Sequence, residues 1–336
     1  MNTDNNQNDK KLVSAIITTH ERKPEMVLRA VNSVLNQTYS NMEIIVVDDS
    51  SPSFRRRFDV KQSVCGASDK IIYIVNEFSL GACASRNKGL SSASGYYVAF
   101  LDDDDEWLPN KIEEQLKGFL DDSIALVYNP ITVVDEENCC ERIINIESES
   151  GYIFRKLLKS NIIGSTSNPL IKKSCLETIG NFDLQFESCQ DYDLWLRLAL
   201  RFPVQYIELP LLRYHNHSDI RISLDSEKLI SGHEWLNLKY ADYINNDNDT
   251  WYIRHSFLIP HYLKKYGRKK AFSLWISCVK KRPVKLFRNI DLLNYIVFGF
   301  NSYKVLRKPL ARLYRGIRDK YRTIGKFRHT REISCR

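Results

Sequence analysis

Short apolar runs and amphipathic segments alternate along the first part of the sequence. Runs rich in Val and Ile occupy residues 12–18, 43–47, 70–75, 96–101 and 124–128, and such runs are typical of strands that are buried on both faces. The segments between them place apolar residues at helical spacing. This alternation predicts an α/β fold with a doubly wound, mostly parallel sheet, in which ligands bind at the carboxyl ends of the strands.

Several helices are predicted between and after these runs. The first follows Pro24, and the second covers residues 82–92. The third begins at Pro109, a residue type tolerated in the first turn of a helix, and turns four apolar side chains inward: Ile112, Leu116, Phe119 and Leu120. A polar stretch at residues 135–150 is typical of a hairpin or an exposed loop, and a further helix is expected at residues 191–200.

Charge is distributed unevenly along the chain. From residue 261 onward there are 22 Lys or Arg and three acidic residues, so this part carries +19 and the preceding part −11, for a total of +8. From residue 225 the pattern becomes helical, aromatic and increasingly basic. We therefore predict a disordered N-terminus at residues 1–10, one α/β domain at residues 11–225, and a helical, basic C-terminal region at residues 226–336.

Composition and spacing argue against several classes of protein. The eight cysteines form no C-x-x-C pair and have no histidine at zinc-finger spacing, so we expect reduced thiols. No stretch approaches the roughly 20 apolar residues that span a bilayer, and the first residues lack a secretory pattern. Gly81 and Gly89 are eight apart, which does not match the glycine fingerprint of nicotinamide-cofactor enzymes. A cytoplasmic protein is the expectation.

Four consecutive aspartates, Asp102–Asp105, follow the fourth apolar run directly. Their mutual repulsion beside a sheet is costly, and a divalent cation such as Mn²⁺ or Mg²⁺ would remove it, using carboxylate and substrate-phosphate oxygens. Because side chains alternate in an extended segment, Asp102 and Asp104 would face one side and Asp103 and Asp105 the other. A solvated acidic turn is the alternative interpretation.

Two other polar clusters lie at the same predicted sheet edge. Asp48 and Asp49 end the second run, where a carboxylate of a nucleotide-binding fold commonly meets a ribose or base. A turn held by local hydrogen bonds explains them equally well. The small-residue segment after Gly81 brings Arg86 and Lys88 to a helix beside this edge, where a cation can meet a diphosphate; close helix packing is the alternative.

The helix expected at residues 191–200 begins with two carboxylates. Asp193 can pair with Arg197 across one turn and is then a helix-surface charge. Asp191 instead shares the apolar face of the helix, and the helix dipole favours its ionised form in the first turn. Asp191 is therefore a candidate general base, with helix capping as the alternative role.

Two histidines follow near the end of the predicted α/β domain. His215 and His217 are two residues apart and lie on one side of an extended segment. One of them could complete a metal or phosphate site, and His215 is the candidate metal ligand. A structural histidine with satisfied hydrogen bonds is the alternative.

Taken in order, these segments resemble the family 2 glycosyltransferases, which have the GT-A fold and act in bacterial polysaccharide and cell-wall synthesis. The resemblance covers residues 11–223. The segments that carry it are Val13–Arg22, Val47–Ser51, Gly81–Gly89, Phe100–Asp105, Ile179–Asp183, Gln190–Arg197 and Arg213–His215. Each motif is weak alone, and their order and spacing are specific together.

The resemblance implies roles for the candidate residues. The donor-binding residues would be Thr18, Glu21, Asp48, Asp49, Arg86, Asp102, Asp103 and Asp105. One carboxylate of the pair at residues 48–49 would contact the nucleobase, commonly uracil. Asp102 and Asp104 match the outer carboxylates of the family's D-x-D element, which binds Mn²⁺ or Mg²⁺. Asp191 matches the catalytic base, and Gln190 stands where the family usually has Glu.

By the same resemblance, the expected reaction is an inverting transfer of a sugar from a nucleoside-diphosphate sugar to a hydroxyl of a glycan or lipid-linked acceptor. Asp191 would accept the proton of that hydroxyl while the metal stabilises the departing diphosphate. A non-catalytic nucleotide-sugar or polysaccharide-binding protein with the same fold is the alternative. Gln190 is the feature that favours this alternative.

The basic C-terminal region interleaves cations with aromatic side chains. Such helices suit an anionic membrane surface, where each nearby cation contributes on the order of 1 kcal/mol. We therefore expect a peripheral position on the inner face of the cell membrane. Nucleic-acid binding competes with this interpretation, although no nucleic-acid-binding motif accompanies the charge. A solvated tail without a partner is the third possibility.

Overall fold

The computed structural model describes residues 11–144, 148–216, 225–285 and 288–297. The chain forms two compact units, Met1–Lys239 and Tyr240–Arg336. The N-terminal segment predicted to be disordered and the end of the basic region lie outside the described residues.

Strands and helices alternate through the first unit, and helices form the second. The strands are β1 (Val13–Thr19), β2 (Met42–Asp48), β3 (Ile71–Val75), β4 (Tyr97–Asp102), β5 (Glu106–Trp107), β6 (Leu126–Tyr128), β7 (Ile131–Asp135), β8 (Cys140–Ile144), β9 (Leu170–Lys172), β10 (Val204–Tyr206) and β11 (Leu212–Asn216). The helices are α1 (Pro24–Leu35), α2 (Arg57–Ala67), α3 (Ala82–Ser92), α4 (Lys111–Lys117), α5 (Phe154–Lys159), α6 (Lys173–Ile179), α7 (Gln190–Arg201), α8 (Ser226–Lys239), α9 (Ala241–Asn245) and α10 (Asn248–Lys281).

A seven-stranded sheet forms the centre of the first unit, in the order β10-β6-β9-β4-β1-β2-β3. Strand β1 is parallel to β2 and β4, β2 to β3, and β10 to β6, whereas β9 runs antiparallel between β4 and β6. All five predicted strands are present, and the mostly parallel α/β sheet is confirmed. Because β1, β2 and β4 are parallel neighbours, the polar residues that follow them meet at one edge.

A smaller sheet begins directly after the aspartate run, because its first strand, β5, follows Asp105 in the chain. Its order is β5-β11-β7-β8, with β11 parallel to β7 and the outer strands antiparallel to their neighbours. The polar stretch predicted as a hairpin or loop supplies the turn and second strand of the β7–β8 hairpin, and residues 145–147 lie outside the described part. The small sheet brings β11, with His215, beside the end of β5.

Helices α4 and α2 differ from the predictions. Helix α4 begins at Lys111 with Asn110 as its N-cap, so Pro109 precedes the helix, and it ends at Lys117 before Gly118. Leu120 is therefore outside the helical repeat and 73% exposed, and the prediction that it turns inward was wrong. Helix α2 was not predicted, since its only buried apolar side chains are Val60 and Val64.

Close packing of α3 against the sheet depends on glycine at position 89. A Cβ atom at Gly89 would lie 2.4 Å from the Ile16 Cγ2 atom of β1, so only glycine permits this approach. The small-residue segment therefore serves helix packing, as one interpretation of the sequence held. The same close approach fixes the position of Arg86, one turn earlier on α3.

The second unit has its own small core, confirming the helical character predicted for the C-terminal region. Tyr252, Ile259, Ala271, Cys278 and Ile296 are buried together. Helix α10 is interrupted at Gly267, which has φ 77° and ψ −177°, a conformation that other residues rarely adopt. Within the described ranges, no helix is both long and apolar enough to cross a membrane.

Candidate active site

Burial alternates along the aspartate run at the carboxyl end of β4. Asp103 and Asp105 are buried, whereas Asp102 and Asp104 are half-buried. The run turns tightly, because the backbone N–H of Asp105 donates to the Asp102 carbonyl oxygen (3.1 Å). The four carboxylates thus divide into two pairs with different environments. The pairs are the ones predicted, but strand β4 ends at Asp102, so a turn and not an extended segment produces them.

Arg22, in the loop between β1 and α1, bridges two of these carboxylates. Its Nε atom lies 3.1 Å from Asp103 Oδ1, and its Nη2 atom lies 3.3 Å from Asp104 Oδ2. Burial raises the pKa of Asp103 to about 6, with the Arg22 charge opposing the rise and the Asp104 charge adding to it. The guanidinium therefore partly neutralises a pair of carboxylates that would otherwise repel each other.

Arg86 holds the first carboxylate of the run. Its Nη2 atom donates to Asp102 Oδ1 at 2.7 Å, and its guanidinium carbon lies 5.5 Å from the centre of the Phe182 ring. Asn87 fixes the Phe182 loop by exchanging hydrogen bonds with its backbone N–H and carbonyl (both 2.9 Å). Within the described residues, the buried Nε atom of Arg86 has no hydrogen-bond partner.

Asp105 is fully buried and contacts the smaller sheet through β11. Its carboxyl accepts from the Ser167 hydroxyl (2.6 Å) and from the His215 backbone N–H (3.3 Å). Burial, together with the charges of Asp104 and Asp102, raises the pKa of Asp105 well above its usual range. In this arrangement Asp105 ties β11 to the end of the aspartate run.

His215 is buried between two glutamates. Its Nε2 atom lies 2.6 Å from Glu106 Oε2, and its Nδ1 atom lies 2.9 Å from Glu136 Oε1. The hydrogen bond from His215 is the main cause that lowers the pKa of Glu106. Metal ligation by His215 would require one ring nitrogen to leave its glutamate, and it stays a prediction. His217 lies outside the described residues.

Asp48, at the end of β2, is buried and turned toward β3. It accepts from the Tyr73 hydroxyl (2.9 Å) and from Arg57 Nε (3.4 Å). It also accepts from the Ser50 backbone N–H (2.9 Å), which closes the turn after the strand. These contacts explain the burial of Asp48 by a structural role. Its contact with a nucleobase stays a prediction.

Asp49 organises the loop that leads into α3. Its carboxylate accepts from the backbone N–H groups of Leu80 (2.7 Å) and Gly81 (2.9 Å) and from the Asn76 side chain (2.7 Å). Burial would raise the pKa of Asp49, but these hydrogen bonds lower it below its usual value. Asp49 therefore holds Gly81, the residue before α3, in its left-handed conformation (φ 88°).

The two remaining donor-binding candidates lie at the end of β1. Thr18 pairs in register with Val47 of β2 and Asp102 of β4, so it lies at the middle of the predicted binding edge. Glu21 has a left-handed backbone (φ 52°), unusual for a residue with a side chain, and its N–H donates to the Ser50 hydroxyl (2.9 Å). The ends of the first two strands are thereby linked.

Asp191 lies in the first turn of α7, after Cys189 in a left-handed conformation (φ 63°). Burial raises the pKa of Asp191 to about 6; the Tyr192 backbone N–H and the Arg86 charge lower it, and the Asp102 charge raises it further. The fold therefore brings Asp191 within electrostatic range of Arg86 and Asp102, far apart in sequence. A half-buried carboxyl with a raised pKa beside charged partners is typical of a functional site.

The sequence did not reveal how α7 is held. Asp193 was interpreted as a surface charge paired with Arg197; the pair is present (2.8 Å), but Asp193 is 0% exposed, so its surface location was wrong. Its second partner is Lys239 of α8, whose Nζ atom lies 2.9 Å from both Asp193 Oδ1 and Asp183 Oδ2. Helical spacing predicts α8 but cannot indicate which charge it meets.

A family model described as glycosyl transferase family 2 matches residues 14–180. The chain is also 33% identical over 242 residues to WcaA of Escherichia coli K12, a putative colanic acid biosynthesis glycosyl transferase, covering 69% of this chain and 82% of that protein. This chain belongs to glycosyltransferase family 2. The glycosyltransferase is also 32% identical over 190 residues to WfgD of Escherichia coli, described as a UDP-Glc:alpha-D-GlcNAc-diphosphoundecaprenol beta-1,3-glucosyltransferase, covering 56% of this chain and 70% of WfgD.

The fold of this glycosyltransferase is similar to that of a solved structure. Residues 1–349 of S. aureus TarS, crystallised with UDP-GlcNAc, match with a TM-score of 0.58 at 16% identity, covering 84% of this chain and 81% of that one. The predicted GT-A fold is therefore confirmed. An uncharacterised glycosyltransferase of Rickettsia typhi aligns over more of the sequence, at 29% identity over 91% of this chain and 96% of that protein.

The donor set of the glycosyltransferase fits a divalent cation shared with a diphosphate. In the described part of the chain, no three His, Cys, Asp or Glu side chains form a group that could hold a metal by themselves. Asp102 and Asp104 nevertheless offer neighbouring, half-buried carboxylate oxygens. Mg²⁺ and similar cations usually take one or two carboxylates and complete their shell with phosphates and water. Arg86 and Arg22 neutralise the same two carboxylates in this structure.

We expect Lys239→Met to lower the free energy of unfolding of the glycosyltransferase by about 1 to 2 kcal/mol. The substitution removes the Lys239 charge from the buried Asp193 carboxylate, which keeps its pair with Arg197. Loss of one partner from a buried ion pair is destabilising. Equilibrium unfolding in urea would measure this change in free energy. Lys228→Met, on the same helix, removes the same charge and is the control; equal unfolding of the two variants would show that the Lys239 contacts contribute nothing.

Proposed function

We propose that this glycosyltransferase moves a sugar from a UDP-sugar to an acceptor hydroxyl, with inversion at the anomeric carbon. The observation that carries the proposal is Asp191, a carboxyl in the first turn of α7 with a pKa raised by burial to about 6. A general base is most effective when its pKa lies near the working pH. Asp191 is also in electrostatic range of Asp102 and Arg86, on the edge where a nucleotide would bind.

In the proposed reaction, Asp191 accepts the proton of the acceptor hydroxyl as its oxygen bonds to the anomeric carbon. The bond between that carbon and the diphosphate oxygen breaks, and its electron pair leaves with the diphosphate. Asp102 and Asp104 would hold Mn²⁺ or Mg²⁺, which would act as a Lewis acid toward the leaving group. Arg86, which interacts with Asp102, would bind the same phosphates.

The choice of donor and acceptor is supported by the relatives. WfgD is described as using UDP-Glc and a GlcNAc-diphosphoundecaprenol acceptor, TarS was crystallised with UDP-GlcNAc, and WcaA is assigned to colanic acid biosynthesis. We propose the same classes here, namely a UDP-sugar and a glycan or lipid-linked acceptor in surface polysaccharide synthesis.

A donor panel tests this function. Purified protein is incubated with UDP-, GDP- and dTDP-sugars in the presence of Mn²⁺ or Mg²⁺, and release of nucleoside diphosphate is measured with Asp191→Asn as the control. Release from UDP-sugars alone is expected. Tight UDP-sugar binding without release, together with turnover gained by Gln190→Glu, would favour the non-catalytic binding protein instead.

We also propose that the C-terminal unit contacts an anionic membrane, which would place the protein on the inner face of the cell membrane. A cluster of exposed cations surrounds the kink at Gly267: Lys264, Lys265, Arg268, Lys269 and Lys270. Exposed aromatic side chains, Tyr266 and Phe272, accompany them. Cations beside amphipathic aromatic rings suit the headgroup region of an anionic bilayer.

Replacing these five cations with Gln is expected to weaken binding to anionic liposomes by at least about tenfold, since each cation near the surface contributes on the order of 1 kcal/mol and a loss of about 1.4 kcal/mol is already tenfold. Co-sedimentation would measure it. The control replaces five exposed cations of the first unit, Arg55, Arg56, Lys61, Lys70 and Arg155. Equal loss of liposome binding in both variants would contradict a membrane site on α10. If the parent binds RNA or DNA and the variant that lacks the five α10 cations does not, nucleic acid is the favoured partner.

A further inference from the structure

Arg22 ends the first segment of the family resemblance, which gave it no role, and its side chain contacts the two middle residues of the aspartate run. It contacts one buried carboxylate, Asp103, and one half-buried carboxylate, Asp104, through different nitrogens of its guanidinium (3.1 and 3.3 Å). Asp104 is one of the two carboxylates proposed to hold the divalent cation. Arg22 and that cation would therefore compete for the same oxygen atoms.

Charge balance explains why an arginine is needed there. Four adjacent carboxylates at a sheet end repel one another strongly in a medium less polar than water. Arg22 and Arg86 together contact Asp102, Asp103 and Asp104, so the run is held together by protein cations. A divalent cation would supply the same compensation, and one arginine would then lose its role as counter-charge.

We propose that Arg22 exchanges partners during the reaction cycle: it neutralises Asp104 when no divalent cation is bound, and it binds the donor's diphosphate once a cation has taken that carboxylate. A guanidinium fork matches a phosphate as well as it matches a carboxylate. Arg22 lies in the loop after β1, at the carboxyl edge of the sheet where ligands of such folds bind. It is thus a donor-binding residue in addition to those derived from the motifs.

The neighbouring arginines are less suited to such an exchange. The Arg86 side chain is only 9% exposed and packs on Phe182, whereas the Arg22 side chain is 20% exposed. Arg29 donates to the backbone carbonyl of Asp104 (2.9 Å) and to Glu136 (3.1 Å), so it supports the loop without occupying the carboxylates. Arg22 is the guanidinium that can leave Asp104 with the least disturbance of buried packing.

The inference rests on the proposed metal site, and its test separates the two. Mn²⁺ affinity is measured without nucleotide, from the electron paramagnetic resonance signal of free Mn²⁺, and UDP affinity is measured by calorimetry at saturating Mn²⁺. The variants are Arg22→Gln, Arg22→Lys and Asp104→Asn. The control is Arg56→Gln, which removes one exposed positive charge at the start of α2.

The partner exchange of Arg22 predicts that Arg22→Gln changes Mn²⁺ affinity and UDP affinity in opposite directions. Arg22→Gln is expected to tighten Mn²⁺ binding about threefold, because a competing cation is removed. The same variant is expected to weaken UDP binding about tenfold, because a charge-assisted contact to phosphate is lost. Arg22→Lys keeps the charge but loses the fork, so its Mn²⁺ affinity should match the parent while its UDP affinity falls between the two. Arg56→Gln should change neither.

Each contrary result has a distinct meaning. If Arg22→Gln weakens both ligands, or if Arg22→Lys and Arg22→Gln behave alike toward Mn²⁺, Arg22 is a structural residue and the exchange is overturned. Unchanged Mn²⁺ affinity in Asp104→Asn would remove the proposed metal site itself. Weaker Mn²⁺ binding in Asp104→Asn with no tightening in Arg22→Gln would reject only the exchange.

Discussion

Asp191→Asn is expected to lower kcat by about 100- to 10,000-fold, the usual contribution of a positioned general base. Asparagine has nearly the same shape and keeps the Oδ1 acceptor that receives the Tyr192 backbone N–H (2.8 Å). It cannot accept a proton from the acceptor hydroxyl. Donor affinity should therefore stay close to that of the parent, and steady-state kinetics with separate UDP binding would measure both quantities.

The pH dependence gives this prediction a second, independent readout. Because the pKa of Asp191 is raised to about 6, kcat/KM of the parent should fall as pH decreases through 6 and the base becomes protonated. The pKa of Asp103 is raised to about 6 as well, so an acid limb alone would not identify the group. Loss of the limb in Asp191→Asn, and its persistence in Asp103→Asn, would assign it to Asp191.

The same substitution should stabilise the fold at neutral pH. An aspartate whose folded pKa is raised destabilises the folded state once it ionises, so the penalty is absent below pH 3.8 and complete above pH 6. Asp191→Asn should therefore exceed the parent in free energy of unfolding by about 3 kcal/mol at pH 7.5 and match it near pH 3.5. A variant that loses turnover and stability together would indicate a structural role for Asp191.

Removal of the divalent cation is expected to reduce turnover at least about 100-fold, because a metal stabilises the leaving diphosphate by several kcal/mol. Chelation with EDTA followed by return of Mn²⁺ should abolish and restore activity. Asp104→Asn should produce a similar loss that added Mn²⁺ only partly reverses, since one of two carboxylate ligands is missing.

Asp59→Asn is the matched control for the metal prediction, because it removes one carboxylate from the exposed side of α2. It should leave the Mn²⁺ dependence unchanged. Full turnover of EDTA-treated protein would contradict the role given to Asp102 and Asp104, while leaving the role of Asp191 intact.

Local patterns predicted the sheet well because each strand carries its own signal. The Val- and Ile-rich runs became β1, β2, β3, β4 and β6, and their parallel order followed from the helices between them. The pattern failed where the local signal was weak or interrupted. Helix α2 buries only two apolar side chains, and Gly118 ends α4 before Leu120 can join its buried face.

For the site, the sequence by itself determined the chemistry available at the sheet edge: alternating aspartates after β4, small residues around Arg86, and a carboxylate in the first turn of α7. These depend on the order of residue types along the chain and on strand and helix periodicity, which act over a few residues. Only the tertiary structure decided that Arg22 bridges Asp103 and Asp104, that His215 lies between two glutamates, and that Lys239 meets a buried Asp193. Such partners are chosen by packing between distant elements, and no short-range pattern encodes which charge a helix will meet.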